Sequence, residues 1–254
     1  MPAGMSPMLT QIRSLPDMVA ECLPTFAEAV RTAVPDELCS SVKYLYLAGC
    51  GDSHHAALGS ELAFLALSGV PTEAMTALHF ARYTVPFLSD PGGTVAVGIS
   101  VSGEVARTIE GLRLANNKGA TTIAVTANSG SRLARSANHV VRAAVPPLRA
   151  QGEMPVPGVR SYIASLLVLY LIAIRVGEAR GFLGPEAATA ARSELQGLPQ
   201  GMEATILANE AAVQHLVESW KDASEFVFVG GGPNYATALF SAAKLLEASG
   251  DAAV

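Results

Sequence analysis

The chain has 254 residues, 50% of them hydrophobic and only 15% charged, which is enough to bury a large core in one or two domains. A formal net charge of -5 with no long Lys/Arg run argues against nucleic acid or an anionic membrane as the main partner, and leaves room for a small anion held by local N–H groups. Cys22, Cys39 and Cys50 are irregularly spaced and form no Cys-x-x-Cys, so neither a disulfide framework nor a zinc site is expected and a reducing cytoplasm fits.

Met1 to Arg13 has no apolar run of signal-peptide length. Helical periodicity runs over Met8 to Val34 through Leu15, Met18, Val19, Cys22, Leu23, Phe26 and Val30, and stops before Pro35. Lys43 to Leu47 reads as a strand, followed by Gly49-Cys50-Gly51-Asp52-Ser53 and a helix from His54 to Leu67 that Gly69 and Pro71 end. Thr72 to Thr76 is a second strand and His79 to Val85 a short helix. Thr94 to Ile99 is apolar throughout, as a buried parallel strand should be, and leads through Ser100-Val101-Ser102-Gly103 into a helix over Glu104 to Lys118. Thr121 to Thr126 is a β-branched strand, Ser131 to Ser136 a brief helix, and His139 to Ala143 a fifth strand. Five strands joined by helices predict an α/β fold, a five-stranded parallel doubly wound sheet flanked by helices.

Pro146, Pro147, Pro155 and Pro157 mark a loop before an apolar helix over Val159 to Val176. Its most apolar stretch, Tyr162 to Val176, is shorter than the ~20 residues that cross a bilayer, carries Ser165 and has Arg160 and Arg175 at its ends; it reads as buried between sheets or subunits, so no membrane association is expected. Two further helices are predicted at Pro185 to Gln196 and Gly201 to Trp220. Phe226-Val227-Phe228-Val229-Gly230-Gly231-Gly232-Pro233-Asn234-Tyr235 then repeats Leu45-Tyr46-Leu47-Ala48-Gly49-Cys50-Gly51-Asp52-Ser53-His54 at an offset of 181 residues, the start of a second copy of the domain. The expected organisation is an N-terminal helical segment over 1–40, a first domain over 41–180, a helical connector over 181–222 and an incomplete second domain over 223–254. One strand and one helix make no core of their own, so either the chain is a truncated form of a longer protein or this unit packs on the first sheet or on a partner chain.

The strand that breaks into Ser100-Val101-Ser102-Gly103-Glu104 and then starts a helix gathers two hydroxyls, a glycine and fresh helix N–H groups, which suits an anion at the carboxyl end of a strand. A nicotinamide site is not favoured, because the Gly49, Gly51 series has His54 where a third glycine belongs, and no cofactor is expected. A hydrolase elbow fails for a similar reason, since Gly98-Ile99-Ser100-Val101-Ser102 ends on serine. Asp52 reads either as a sugar-recognising carboxylate or as the N-cap of the helix that follows. Lys244 and Glu247 alone would read as an exposed i, i+3 ion pair. His54 and His55 are helix-start residues or an alternative acid/base. His79, His139 and His215 are scattered without metal-ligand spacing, so no metal is expected.

The stretches Gly49 to Ser53, Ser100 to Glu104 with Thr108 one helical turn on, and Phe240-Ser241-Ala242-Ala243-Lys244-Leu245-Leu246-Glu247 resemble sugar isomerase (SIS) domains. The likeness covers about residues 40 to 254 and is closest to the isomerase half of glucosamine-6-phosphate synthases and their deaminase and deglycase relatives. It implies that Ser100, Val101, Ser102 and Gly103, with Thr108, hold a sugar phosphate. Gly51, Asp52 and Ser53 would lie at the sugar, where the synthases read Gly-Thr-Ser, and Val105 replaces a phosphate-binding threonine. Glu247 would move a proton between C1 and C2 of an open-chain sugar, assisted by Lys244, and Glu153 would line the site from the Pro-rich loop or stand solvated. The synthases' His-Gly-Pro segment and a C-terminal lysine do not occur before Val254, and no glutaminase precedes the domain, so release of ammonia is expected rather than synthesis. Two functions stay open: an aldose-ketose isomerase or amino-sugar phosphate deaminase or deglycase, and a non-catalytic sugar-phosphate sensor or regulatory subunit. A homodimer is the expected assembly.

Overall fold

A computed structural model describes residues 6–148 and 157–254. Three helices open the chain, α1 (Pro7–Arg13), α2 (Leu15–Ala33) and α3 (Asp36–Ser41). Alternation follows with β1 (Tyr44–Gly49), α4 (Asp52–Ser68), β2 (Thr72–Thr76), a short α5 (Ala77–His79) that runs into a π turn, β3 (Thr94–Ile99), α6 (Ala106–Asn117), β4 (Thr121–Thr126) and β5 (His139–Arg142). Two long helices, α7 (Arg160–Ala179) and α8 (Pro185–Trp220), lead to β6 (Glu225–Phe226), α9 (Pro233–Ser249) and β7 (Ala252–Ala253).

The first five strands form one parallel sheet in the order β2-β1-β3-β4-β5. Successive side chains alternate between its faces. Leu45, Leu47, Val95, Val97, Ile99, Ile123 and Val125 point to one side, where α2, α4 and α7 cover them. Ala48, Ala96 and Ala124 point to the other, where α6 and Phe80 pack. The small residues on that second face let α6 come close: a Cβ on Gly98 would lie 2.7 Å from Leu112. Large-small alternation in the strands thus sets the spacing of the two helical layers.

Connections leave β1 in one direction toward β2 and return across it to β3. The strand order therefore reverses between β1 and β3, whose last residues, Gly49 and Ile99, are register partners. In open α/β sheets such a reversal leaves a crevice at the carboxyl edge, because the following helices lie on opposite faces. Here they are α4 and α6. The turn Cys50-Gly51-Asp52 and the loop Ser100 to Val105 both open into that crevice.

α7 is long and apolar enough to cross a membrane, yet it is the core helix of this domain. Leu167, Val168, Leu169, Ile172, Ala173 and Ile174 are fully buried, as the sequence led us to expect.

Three readings from sequence are corrected. The N-terminal periodicity divides at Ser14 into α1 and α2, since Ser14 caps α1 and starts α2. The two helices expected between 185 and 220 are one, α8, which passes through Gly197, Pro199 and Gly201 without a break. Proline in a helix interior costs ~3 kcal/mol. Leu195, Leu198 and Met202 anchor that stretch to the core and offset it. The strand that the repeat at Phe226 implies is laddered only over Glu225–Phe226, where β7 supplies partners, with one further bond from the Phe228 N–H to the Val254 carbonyl.

α9 spans the residues of α4 shifted by 181, and the shorter β6 and β7 keep the strand register of β1 and β2. Phe226 pairs Ala253 as Leu45 pairs Thr72, each 181 residues on. Gly51 and Gly232, the caps of α4 and α9, share one backbone conformation (φ 54, ψ -128 and φ 56, ψ -133) that side chains with a Cβ rarely adopt. β6 and β7 form a separate two-stranded sheet, and α9 lies on α4 rather than on the large sheet.

Candidate functional site

The loop after β3 is built to keep its polar groups in place. Ser100 is buried at the strand end, and its N–H donates to the carbonyl of Val125 at 3.0 Å. The Gly103 N–H donates to both the Ser100 carbonyl (3.0 Å) and Ser100 Oγ (3.1 Å). Gly103 has φ +68, and a Cβ there would lie 2.0 Å from Ser131 Oγ and 2.9 Å from Thr126 Oγ1. Val101 and Ser102 are exposed at the tip, with the Val101 carbonyl accepting from the Ala127 N–H and the Thr126 hydroxyl. Ser102 Oγ accepts from the Glu104 N–H at 3.2 Å.

Glu104 closes the loop from below. Its carboxylate accepts from the Arg132 backbone N–H (3.0 Å) and from Arg132 Nε (2.5 Å), and these bonds hold its carboxyl below the usual range. Arg132, Ser131 and Thr126 come from the β4 side, and none was singled out from sequence. The signal was present in the adjacency of β3 and β4, because the loop after one parallel strand abuts the loop after its neighbour. No side chain caps α6 at Val105, so its first-turn N–H groups have no side-chain acceptor among the described residues. Thr108, on that first turn, is 1% exposed and its hydroxyl has no hydrogen-bond partner among the described residues. Uncapped N–H groups, a buried hydroxyl and the helix dipole are together a combination that suits an anion.

A second cluster forms one strand over. Asp52 stands in the first turn of α4, and the cap position belongs to Gly51, with no side-chain capping bond. This overturns the N-cap reading of Asp52. Its carboxylate Oδ2 instead accepts from Lys244 Nζ at 2.8 Å, across 192 residues of sequence. Lys244 Nζ also donates to Glu247 Oε2 at 2.5 Å and lies 5.2 Å from the centre of the Phe240 ring. Phe240 in turn stacks on Tyr162 at 3.8 Å. Lys244 is 7% exposed, which rules out the exposed surface pair as a description of this lysine. Burial pulls its ammonium down, but the bonds to Asp52 and Glu247 outweigh that and hold it above its ordinary value.

The remaining predicted residues fall around these two groups. Ser53 is half-buried beside Asp52, and Gly51 is exposed at the turn. His55 Nδ1 lies 3.9 Å from Asp52 Oδ1, buried and without a hydrogen-bond partner among the described residues. Burial lowers the His55 pKa against the opposing pull of Asp52, and burial with the neighbouring His55 lowers that of His54. The structure therefore gathers Asp52, His55, Lys244 and Glu247, and separately Ser100, Ser102, Gly103 and Thr108, at the carboxyl edge of the sheet. Glu153 lies outside the described residues. Among those described, no three His, Cys, Asp or Glu side chains are grouped to hold a metal ion.

Comparison with known proteins agrees with this architecture. Residues 39–175 match the SIS domain family. Glutamine–fructose-6-phosphate aminotransferase (isomerizing) of Methanothermobacter thermautotrophicus is 34% identical over 240 residues, 94% of this chain and 37% of its own length. The protein of that name from Gloeobacter violaceus is 29% identical over 246 residues, 95% of this chain and 39% of its own. The chain thus spans little more than a third of these curated relatives. Among solved structures, the C-terminal domain of glucosamine-fructose-6-phosphate aminotransferase from Francisella tularensis superposes with a TM-score of 0.82 at 20% identity, covering 100% of this chain and 70% of that one. Glucosamine-6-phosphate deaminase from Thermotoga maritima gives 0.76 at 18% identity, covering 98% and 69%. Identities this low show a shared fold.

Proposed function

The chain belongs to the SIS domain family, and from that premise we propose that it is a phosphosugar enzyme that moves a proton between C1 and C2 of an open-chain sugar phosphate, in aldose-ketose isomerisation or in deamination of an amino-sugar phosphate. The observation that carries this reading is the buried Lys244 ammonium bonded to Glu247 and Asp52, on the same sheet edge as the Ser100 to Thr108 anion cradle. One subsite fits the phosphate, and the other offers a carboxylate for the carbon acid.

In this reading Ser100, Ser102 and the N–H groups of α6 bind the phosphate and fix the sugar's register. Glu247 takes the proton from C2, the C–H electron pair becomes the C1–C2 double bond, and the C1=O π pair moves onto O1, which takes up a proton. Returning the proton to C1 while O2 gives up its own leaves C2 oxidised and C1 reduced within one molecule, so no external redox partner is required. Where C2 carries an amine, the same transfer gives an imine, to which water adds and from which ammonia leaves. A carboxylate suits both halves because one group removes and returns the proton. The relatives' names, which pair fructose 6-phosphate with isomerisation, support the substrate class.

Free thiols at Cys22, Cys39 and Cys50 support a cytoplasmic location. Exposed Val213, Val217 and Trp220, one stripe of α8, support a homodimer. The test is to incubate the chain with fructose 6-phosphate, glucosamine 6-phosphate and fructosamine 6-phosphate, following ammonia and sugar interconversion. Turnover that Glu247→Gln lowers by roughly 10²–10⁴-fold, with sugar-phosphate affinity retained, is expected. Absence of turnover, together with binding that Ser102→Ala abolishes, would refute the enzyme and favour a sugar-phosphate sensor.

A further inference from the structure

We propose that Asp52 is a positioning residue: it holds the Lys244 ammonium so that Glu247 can leave the lysine and reach the sugar. The inference rests on the assignment of Glu247 as the proton-carrying group. Lys244 donates to two carboxylates of unlike setting. The Asp52 side chain is 30% exposed and is fixed on the first turn of α4, where it caps nothing. The Glu247 side chain is 48% exposed, near the end of α9, with a longer stem. Lys244 between them has a side chain only 9% exposed and lies against the Phe240 ring, which is itself stacked on Tyr162.

Consider the cluster with Asp52 neutral. The ammonium would then have Glu247 as its one charged partner among the described residues, and any motion of Glu247 toward a substrate would strand a buried cation, which is strongly unfavourable. Glu247 would stay clamped, its lone pairs committed to Lys244. With Asp52 ionised, the bond at 2.8 Å keeps the cation paired while Glu247 rotates away. The lysine stays where it is, beside the carbon acid, to stabilise the negative charge that develops when the proton leaves. Asp52 also joins α4 to α9, so the position of the base on the second strand-helix unit is referred to the sheet edge that carries the anion cradle.

The experiment compares Asp52→Asn and Asp52→Glu with wild type in the whole chain by two measurements. The first is steady-state turnover of whichever sugar phosphate the wild type converts: Asp52→Asn is expected to lower kcat on the order of 10²-fold with KM changed less than about threefold, and Asp52→Glu to recover part of it. The second needs no activity. Lys244 labelling by trinitrobenzenesulfonate, read by peptide mass spectrometry against exposed Lys221, is expected to rise several-fold in Asp52→Asn and to fall back in Asp52→Glu. Wild-type labelling in Asp52→Asn overturns the proposal, as does a raised KM at unchanged kcat, which would place Asp52 on the substrate instead. If the wild type converts no sugar phosphate, the assignment of Glu247 fails, and labelling still decides whether Asp52 anchors Lys244. Should Asp52→Asn not fold, Asp52→Glu decides by the same two readouts: labelling and kcat near wild type support the anchor, and wild-type kcat with freely labelled Lys244 refutes it.

Discussion

Gly103→Ala is the substitution that most directly tests whether the loop after β3 is held as described. Two costs can be worked from the geometry. Gly103 has φ +68, a region in which a residue with a Cβ loses ~1–2 kcal/mol. The added methyl would also sit 2.0 Å from Ser131 Oγ and 2.4 Å from Ser131 Cβ. Ser131 is 1% exposed and its hydroxyl accepts from the Ala134 N–H at 3.3 Å. Moving it forfeits a bond of ~1 kcal/mol and disturbs packing around Leu133. The variant should therefore be about 2–4 kcal/mol less stable, read by urea unfolding followed by circular dichroism. Calorimetric titration with sugar phosphate should show weakened binding, because the loop cannot keep Ser102 and α6 in register. The double change Gly103→Ala with Ser131→Gly removes the collision with Ser131 but neither the backbone strain nor the 2.9 Å approach to Thr126 Oγ1, so measured against Ser131→Gly alone it should still cost ~1–2 kcal/mol for the backbone plus whatever the Thr126 hydroxyl loses in giving way. A Gly103→Ala protein within about 0.5 kcal/mol of wild type, or a Ser131→Gly background that gives no relief, would refute the geometry.

Two further outcomes follow from ionisation. Burial raises the Tyr162 phenol to about 12. Above pH ~10 the unfolded chain gives up a proton that the folded chain retains, so stability falls with pH by up to ~1.4 kcal/mol per unit until the folded phenol ionises. Tyr162→Phe should flatten the stability profile between pH 10 and 11 by about one proton, and an unchanged slope would contradict the burial. Glu104 has the opposite sign: its folded pKa is depressed by Arg132, so its contribution is present above the unfolded carboxylate range and disappears as pH falls through the folded value. The stability gap between wild type and Glu104→Gln should be open at neutral pH and close on acidification, and a gap independent of pH would show that Arg132 holds the loop by other means.

The sheet was legible because both ends of its strands are marked. Thr72–Thr76, Thr94–Ile99 and Thr121–Thr126 have the boundaries read from sequence, the last two unmistakably apolar or β-branched and the first marked by the turn residues before it. Helix ends were less so, since breakers act locally and packing does not. Gly197, Pro199 and Gly201 suggested an interruption that Leu195, Leu198 and Met202 override by anchoring α8 to the core. The loop hydroxyls could be named from their pattern. Their support by Thr126, Ser131 and Arg132 could not, because it depends on β4 lying beside β3. Asp52 is the clearest case. Its local signal was a helix cap, and only the packing of α9 on α4 turns its carboxylate to Lys244.

The duplication explains how such a site arises from one scaffold. Asp52 meets Lys244 while Gly59 faces Ala236, so α4 and α9 run antiparallel with their small residues at the crossing. Shifted by 181 residues, Asp52 corresponds to Pro233, and Lys244 and Glu247 correspond to Ala63 and Ala66. Two copies in this arrangement would present two equivalent ends, each pairing the first turn of one helix with the last turns of the other. At one end the pairing is Asp52 with Lys244 and Glu247; at the other the same positions hold Pro233, Ala63 and Ala66, which carry no ionisable group. The backbone has kept the repeat to the residue, down to Gly51 and Gly232. The ionisable groups are concentrated at the end nearest the loop after β3. In the proposed reading the anion subsite lies on that side because β1 and β3 are neighbours there, so a carboxylate and an ammonium at that end would face a phosphorylated ligand, while the same groups at the other end would have none to face.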